Sequence, residues 1–156
     1  MGMSSFVEIS DKIIESTLEI FTGMVMMEIS VEGEPPLKLG TLKKSITGMV
    51  GLAGDRKGVI AVHLPEQVAL AVTTSFLGME VEEINADVND AIGEIANMLG
   101  GNLKTILSDQ GKDIQLSLPS TISGDYSFSS QADVDQIILS FKAPSGVFYV
   151  EVELEN

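Results

Sequence analysis

The sequence predicts an α+β fold in which an antiparallel sheet carries long helices, and three observations lead there. Apolar residues recur at three- and four-residue intervals near the N-terminus and again over residues 88–109, the spacing of helices with one buried face. Two pairs of β-like runs, within 44–64 and 134–154, are each joined by a short glycine-bearing turn, the mark of a hairpin. The length of 156 residues and the 44% hydrophobic share suit a single globular domain with a real core, expected over residues 4–156. Met1-Gly2-Met3 is set aside, because it reads equally as an added residue or as a natural start.

The elements follow in order. Phe6, Ile9, Ile13, Thr17, Leu18, Phe21, Met24 and Val25 line one side of a first helix, expected to stop near Gly23. Glu32 to Pro36 is a loop, since two consecutive prolines fix φ and remove donors. Lys44 to Ala53 is β-like, and Gly54-Asp55-Arg56-Lys57-Gly58 turns it into Val59 to Leu64. Pro65-Glu66 opens a second helix through Phe76, with Gly78 as its stop. Asn85 and Asp87 both suit the N-cap of the third helix, which should end at Gly111. Asp113 to Leu118 alternates with period two and stops at Pro119, and Pro119 to Asp133 is a long, mobile Ser/Gly-rich loop. The last hairpin ends on a strand with Phe148, Val150, Val152 and Leu154 inside and Val147, Tyr149, Glu151 and Glu153 wet.

The third helix carries the most informative pattern. At ~100° per residue, Asp90, Glu94, Asn97, Gly101, Lys104 and Ser108 share an arc of roughly 80°. Ile92, Ile95, Ala96, Leu99, Leu103, Ile106 and Leu107 take the opposite side. Glycines at 93, 100 and 101 are poor helix formers and suggest a surface that something wants flat. Spacing alone does not separate this stripe from an ordinary solvated face.

Composition excludes several function classes. Nine basic against 23 acidic side chains give a net charge of −14, which repels nucleic acid and anionic membranes. No apolar run approaches the ~18 residues of a membrane span, so a cytoplasmic location is expected. Without cysteine, and with His63 as the single histidine, no metal-ligating set or Ser-His-Asp triad assembles; His63 reads as a strand-end or packing residue. The eight methionines read as pliable core filler, although Met24, Met26 and Met27 also suit a partner surface. Gly48-x-x-Gly51-x-x-Gly54 lacks the context of a phosphate loop and marks twisted hairpin backbone.

Asp90-x-x-x-Glu94-x-x-Asn97, followed twenty-two positions later by Pro119, resembles the signature of the CheX/CheC chemotaxis phosphatases. The resemblance extends to the Gly-rich hairpin Ser45 to Gly54 and Gly58 to Val62, and covers the chain from about Phe6 to the last strand. It implies a CheC-like fold and removal of the phosphoryl group from the aspartate of a CheY-like response regulator. The first helix has no second Glu-x-x-Asn, since Glu15 is followed by Leu18 and Glu19 by Thr22, which favours the single-site CheX type. By the same resemblance Asn97 orients the attacking water, Glu94 docks a lysine of the regulator, Asp90 and Gly101 frame the docking surface, and Pro119 is structural. It implies no cofactor of the protein's own, Mg2+ in the regulator, and a homodimer. An amide suits this task because it accepts from and donates to a water without acting as a base. The rival reading is a flagellar-switch-like adaptor that binds the phosphorylated regulator without hydrolysing it.

Overall fold

The computed structural model describes residues 3–108, 113–129 and 133–155. Helix α1 (Met3–Ile20) runs into a π-helical turn (Phe21–Val25) and a two-residue strand β1 (Ser30–Val31). A long hairpin follows, β2 (Leu42–Gly54) and β3 (Gly58–Pro65), then helices α2 (Glu66–Leu77) and α3 (Ala86–Ser108). Strands β4 (Ile114–Leu116) and β5 (Ser120–Tyr126) precede the closing hairpin of β6 (Val134–Ala143) and β7 (Gly146–Glu155). All pairings are antiparallel, in the order β1-β6-β7-β3-β2-β4, with β5 on the same edge of β2 as β4.

The α+β expectation is met, and the core lies between one sheet face and the helices. Ile46 and Val50 of β2, Ile60, Val62 and Leu64 of β3, and Phe148, Val150, Val152 and Leu154 of β7 alternate along their strands and are buried. Ile9 and Ile13 of α1, Val68 and Val72 of α2, and Ile92, Ile95, Leu99 and Leu103 of α3 fill the helix side. Phe21 stacks on Phe148, which stacks on Phe141, with ring centroids 4.9 and 5.5 Å apart.

Two boundaries differ from the sequence reading. Gly23 does not stop the first helix; the wider π turn carries the chain across it, keeping Phe21 and Val25 both buried. The stop is Met26 in the left-handed region (φ 62°), with Met26 and Met27 both donating to the Phe21 carbonyl. The expected end of α3 at Gly111 lies outside the described residues, and the described helix reaches Ser108. The expected loop after Pro119 is largely strand β5: Ser120 pairs with Met49, Thr121 with Gly48, Ile122 with Thr47 and Ser123 with Ile46. An edge strand of serine, threonine and glycine has little apolar alternation to reveal it, because its order comes from the backbone ladder of β2.

The last strand's outer face is less wet than its alternation implies. His63 is only 1% exposed and bridges two chains of hydrogen bonds across the sheet face away from the helices. Its Nδ1 lies 2.7 Å from the Thr47 hydroxyl, itself 2.7 Å from the Tyr126 hydroxyl, and its Nε2 lies 2.9 Å from the Glu151 carboxylate. Gln136 donates its amide to the other Glu151 oxygen. A carboxylate only accepts, so Nε2 carries its hydrogen. His63 is thus a connecting residue of the sheet as well as the strand-end or packing residue the sequence suggested. Burial alone would raise the Glu151 carboxyl, but the hydrogen bonds from His63 and Gln136, with the attraction of His63, outweigh it and leave the pKa lowered from 4.5. A carboxyl lowered in the folded state stabilises above its unfolded pKa and loses that contribution as pH falls through the folded value. Glu151→Gln should therefore cost about 1–3 kcal/mol at pH 7, and urea denaturation should show the gap to the parent closing as pH drops below 4.5. A gap that is unchanged in acid would mean that charge at Glu151 is not its source.

Candidate functional site

Helix α3 begins where Asn85 caps it: Asn85 Oδ1 accepts from the Val88 N–H at 3.1 Å, and its carbonyl accepts from Asn89. This settles the choice between Asn85 and Asp87, leaving Asp87 as an acid in the first turn, where negative charge suits the helix dipole. The helix then lies against β2 at a distance only glycine permits. A Cβ on Gly48 would stand 2.8 Å from the Ile92 carbonyl oxygen and 3.2 Å from Ala96 Cβ. About two turns beyond Ile92, a Cβ on Gly100 would meet Val50 Cγ1 at 3.1 Å. Ile92, Ile95, Ala96, Leu99, Leu103, Ile106 and Leu107 are all buried as a consequence.

With that face fixed, the stripe read from the sequence points outward. Asp90, Glu94, Lys104 and Ser108 are exposed, and Asn97 and Gly101 are half-buried. Glu94 and Asn97 stand a turn apart on a rigid helix, and among the described residues nothing is bonded to the Glu94 carboxylate or the Asn97 amide. The three glycines of the helix turn out to do different things. Gly100 faces β2, and Gly93 faces Pro119 and Thr121, whose nearest atoms lie 3.8 Å from the position of a Cβ. Gly101 alone meets open space, with nothing within 4 Å. The flat surface that the glycines suggested is therefore mostly an internal one, and its outward part is Gly101.

Pro119 is brought to this helix by the way β2 is edged. β4 pairs with residues 52–54 and β5 with residues 42–49, and between them Ser117 is tied to Gly51 by two hydrogen bonds. Ser117 N–H donates to the Gly51 carbonyl at 2.9 Å and Ser117 Oγ accepts from the Gly51 N–H at 2.8 Å. The tie leaves Pro119 beside Gly93, one turn before Asn97. Sequence reasoning missed this contact, although the fixed spacing from Asn97 to Pro119 was its trace. It also missed Leu118, the residue before Pro119, which is almost fully exposed.

The remaining candidates lie elsewhere. Met24 and Met26 are exposed and Met27 is half-buried, at the end of the π turn. Gly48, Gly51 and Gly54 all lie in β2, as twisted hairpin backbone should. Among the described residues, no three His, Asp or Glu side chains gather to hold a metal ion. No described helix is long and apolar enough to cross a membrane.

An α+β domain with this arrangement of antiparallel sheet and helices has the fold of the CheC-like proteins. Residues 46–142 match the family described as Chemotaxis phosphatase CheX, and the chain belongs to that family. It is 30% identical over 81 residues to the CheY-P phosphatase CheX of Thermotoga maritima, a match covering 51% of this chain and 52% of that protein. The match thus spans about half the length of that curated relative. A CheC-like superfamily protein of Shewanella sp. PV-4 superposes with a TM-score of 0.85 at 28% identity, over 100% of both chains. The chemotaxis protein CheX of Desulfovibrio desulfuricans superposes with a TM-score of 0.83 at 31% identity, over 95% of this chain and 99% of that one.

The close seating of α3 can be checked directly. Gly48→Ala has to push back a backbone carbonyl and should destabilise the protein by about 1–3 kcal/mol in urea unfolding. Gly101→Ala, which meets open space, should be neutral or slightly stabilising because alanine favours helix. Equal behaviour of the two variants would show that the helix is free to lift from β2.

Proposed function

We propose that this protein removes the phosphoryl group from the phospho-aspartate of a CheY-like response regulator. The observation that carries the reading is the outward Glu94 and Asn97 pair on a helix held fixed at its back, in a chain of the CheX family. An aspartyl phosphate is a reactive acyl phosphate, so hydrolysis requires mainly a water placed in line with the phosphorus. In this reading the Asn97 amide accepts a hydrogen of that water and directs its lone pair at phosphorus, as a glutamine does in small GTPases. The phosphorus–carboxylate bond breaks, the aspartate leaves as carboxylate, and the water's oxygen ends in inorganic phosphate. Glu94 engages a lysine of the regulator through a charge-assisted hydrogen bond that strengthens as the interface dries. Asp90 adds a second acid to the docking surface, and the bare Gly101 lets the partner approach closely. Mg2+ belongs to the regulator and supplies charge neutralisation there; this chain brings no cofactor. Such a partner implies a cytoplasmic setting. We also read the protein as a homodimer, for which β5 offers an exposed sheet edge.

Two tests follow. Glu94→Ala should raise KM, whereas Asn97→Ala and Asn97→Asp should mainly lower kcat, each leaving stability within about 0.5 kcal/mol. Asn97→Asp is the more decisive, since it keeps the size but replaces a donor with negative charge near a phosphoryl group. Release of radiolabelled phosphate at fixed Mg2+ should fall at least about tenfold, or about 1.4 kcal/mol. An Asp variant as active as the parent would make the residue a base. Binding of the regulator with no hydrolysis by the parent would favour the adaptor reading.

Gly101→Leu should block docking, because a side chain there stands one turn from Asn97 on the same face. Its helix should stay intact or become firmer. Undiminished binding of a beryllofluoride-loaded regulator by this variant would move the interface off α3.

A further inference from the structure

The following rests on the reading that the Glu94 and Asn97 face of α3 meets a phosphorylated receiver. We propose that Leu118 is the apolar anchor of that docking surface, seating in an apolar depression of the regulator next to its phosphorylated aspartate. Three observations carry it.

Leu118 is 87% exposed; a single exposed leucine is ordinary in itself, and what sets this one apart is the fixed backbone that presents it. The backbone is fixed on both sides. Ser117 is tied to Gly51 through its N–H and its hydroxyl, and its hydroxyl also donates to the Leu118 carbonyl at 3.0 Å. Pro119 constrains the following φ and rests against Gly93. A leucine presented on a tied segment loses little conformational freedom on binding, so most of the gain from its burial is realised as affinity.

Its place is the second observation. Gly93, which Pro119 touches, and Asn97 lie one turn apart on nearly the same line of α3, so the segment carrying Leu118 flanks the amide on the β5 side. Glu94 and Asp90 flank it on the solvent side. The third is the surrounding chemistry: exposed Asp87, Asp90 and Glu94 border the surface on α3, and Ser117 and Ser120 border it on the sheet edge. An apolar knob bordered on one side by acids fits an apolar depression with amino groups along one side. It does not fit the same surface on a second copy, which would set Asp87, Asp90 and Glu94 against their own counterparts.

Steady-state dephosphorylation of a CheY-type receiver and calorimetric binding of the same receiver loaded with beryllofluoride and Mg2+ test the assignment. Leu118→Ser should raise KM and the Kd of the loaded receiver by about tenfold or more, in the range of an interface anchor, with kcat within about twofold of the parent. Leu118→Met should restore most of the affinity. Leu37→Ser is the control. Leu37 is 94% exposed, and its neighbours Lys38 and Leu39 border a hollow with Gln136 and Glu151 on the sheet face away from α3. Its change should leave KM and Kd unaltered. Unchanged Kd in Leu118→Ser, with Asn97→Ala still abolishing turnover, would overturn the role of Leu118 and leave the phosphatase reading standing. A parent protein that neither binds nor dephosphorylates the receiver would overturn that reading, and the anchor with it.

Discussion

The contact between Gly48 of β2 and the Ile92 carbonyl of α3 is the constraint on which the rest of the molecule depends. Helix and sheet here touch backbone to backbone, and further along the Val50 side chain of β2 closes on Gly100. Two such contacts on one helix prevent rotation as well as lifting. Turning α3 by even a fraction of a residue would drive Ile92 or Leu99 out of the core and swing the polar stripe away from the direction it now faces. The outward direction of Glu94 and Asn97 is therefore set by residues on the far side of the helix, and by a glycine in another element altogether.

Strand β2 distributes that constraint. Thr47 and Gly48 are adjacent, so they point to opposite faces of the sheet. Gly48 seats α3, while Thr47 joins His63 and Tyr126 in the hydrogen-bonded row that ends at Glu151. β5, a strand with almost no buried side chain of its own, is consequently held at both ends: Pro119 and Thr121 against Gly93 at the start, Tyr126 on Thr47 at the finish. The segment beside the proposed site and the buried row behind the sheet are two ends of one edge strand.

How much of this was legible in the sequence follows from where each interaction partner lies. Helices α1 and α3 and both hairpins announce themselves because periodicity is local: Ile92, Ile95, Leu99 and Leu103 are each within a turn or two of the next. The outward stripe follows from the same arithmetic, and the Glu94, Asn97 and Pro119 spacing added the family. β5 was not legible, because Ser120 to Gly124 owe their order to β2, more than seventy positions earlier in the pairing of Ser123 with Ile46. The role of His63 was hidden for the same reason, since Thr47 and Glu151 lie 16 and 88 positions away. The glycines of α3 show the limit from another side. Their presence signalled a close approach, but only the packing distinguishes Gly100, pressed against Val50 of β2, from Gly93, where a Cβ would meet Pro119 and Thr121 at ordinary distance, and from Gly101, which is open.

The proposed reaction explains why rigidity at Gly48 should matter more than any unusual acid or base. An amide has no proton to tune near neutrality, so Asn97 can contribute only through where it stands. The leaving carboxylate, the metal ion and the activated phosphorus all belong to the regulator, and what remains for this chain is to hold one water on the line of attack. A misplacement of about 1 Å can cost a reaction of this kind on the order of a hundredfold. Seating α3 on β2 by backbone contact, with the core side chains locked behind it, is the form of preorganisation that such chemistry rewards. A convex helix face fits the same logic, since it has to reach into the partner's cleft instead of enclosing a substrate of its own.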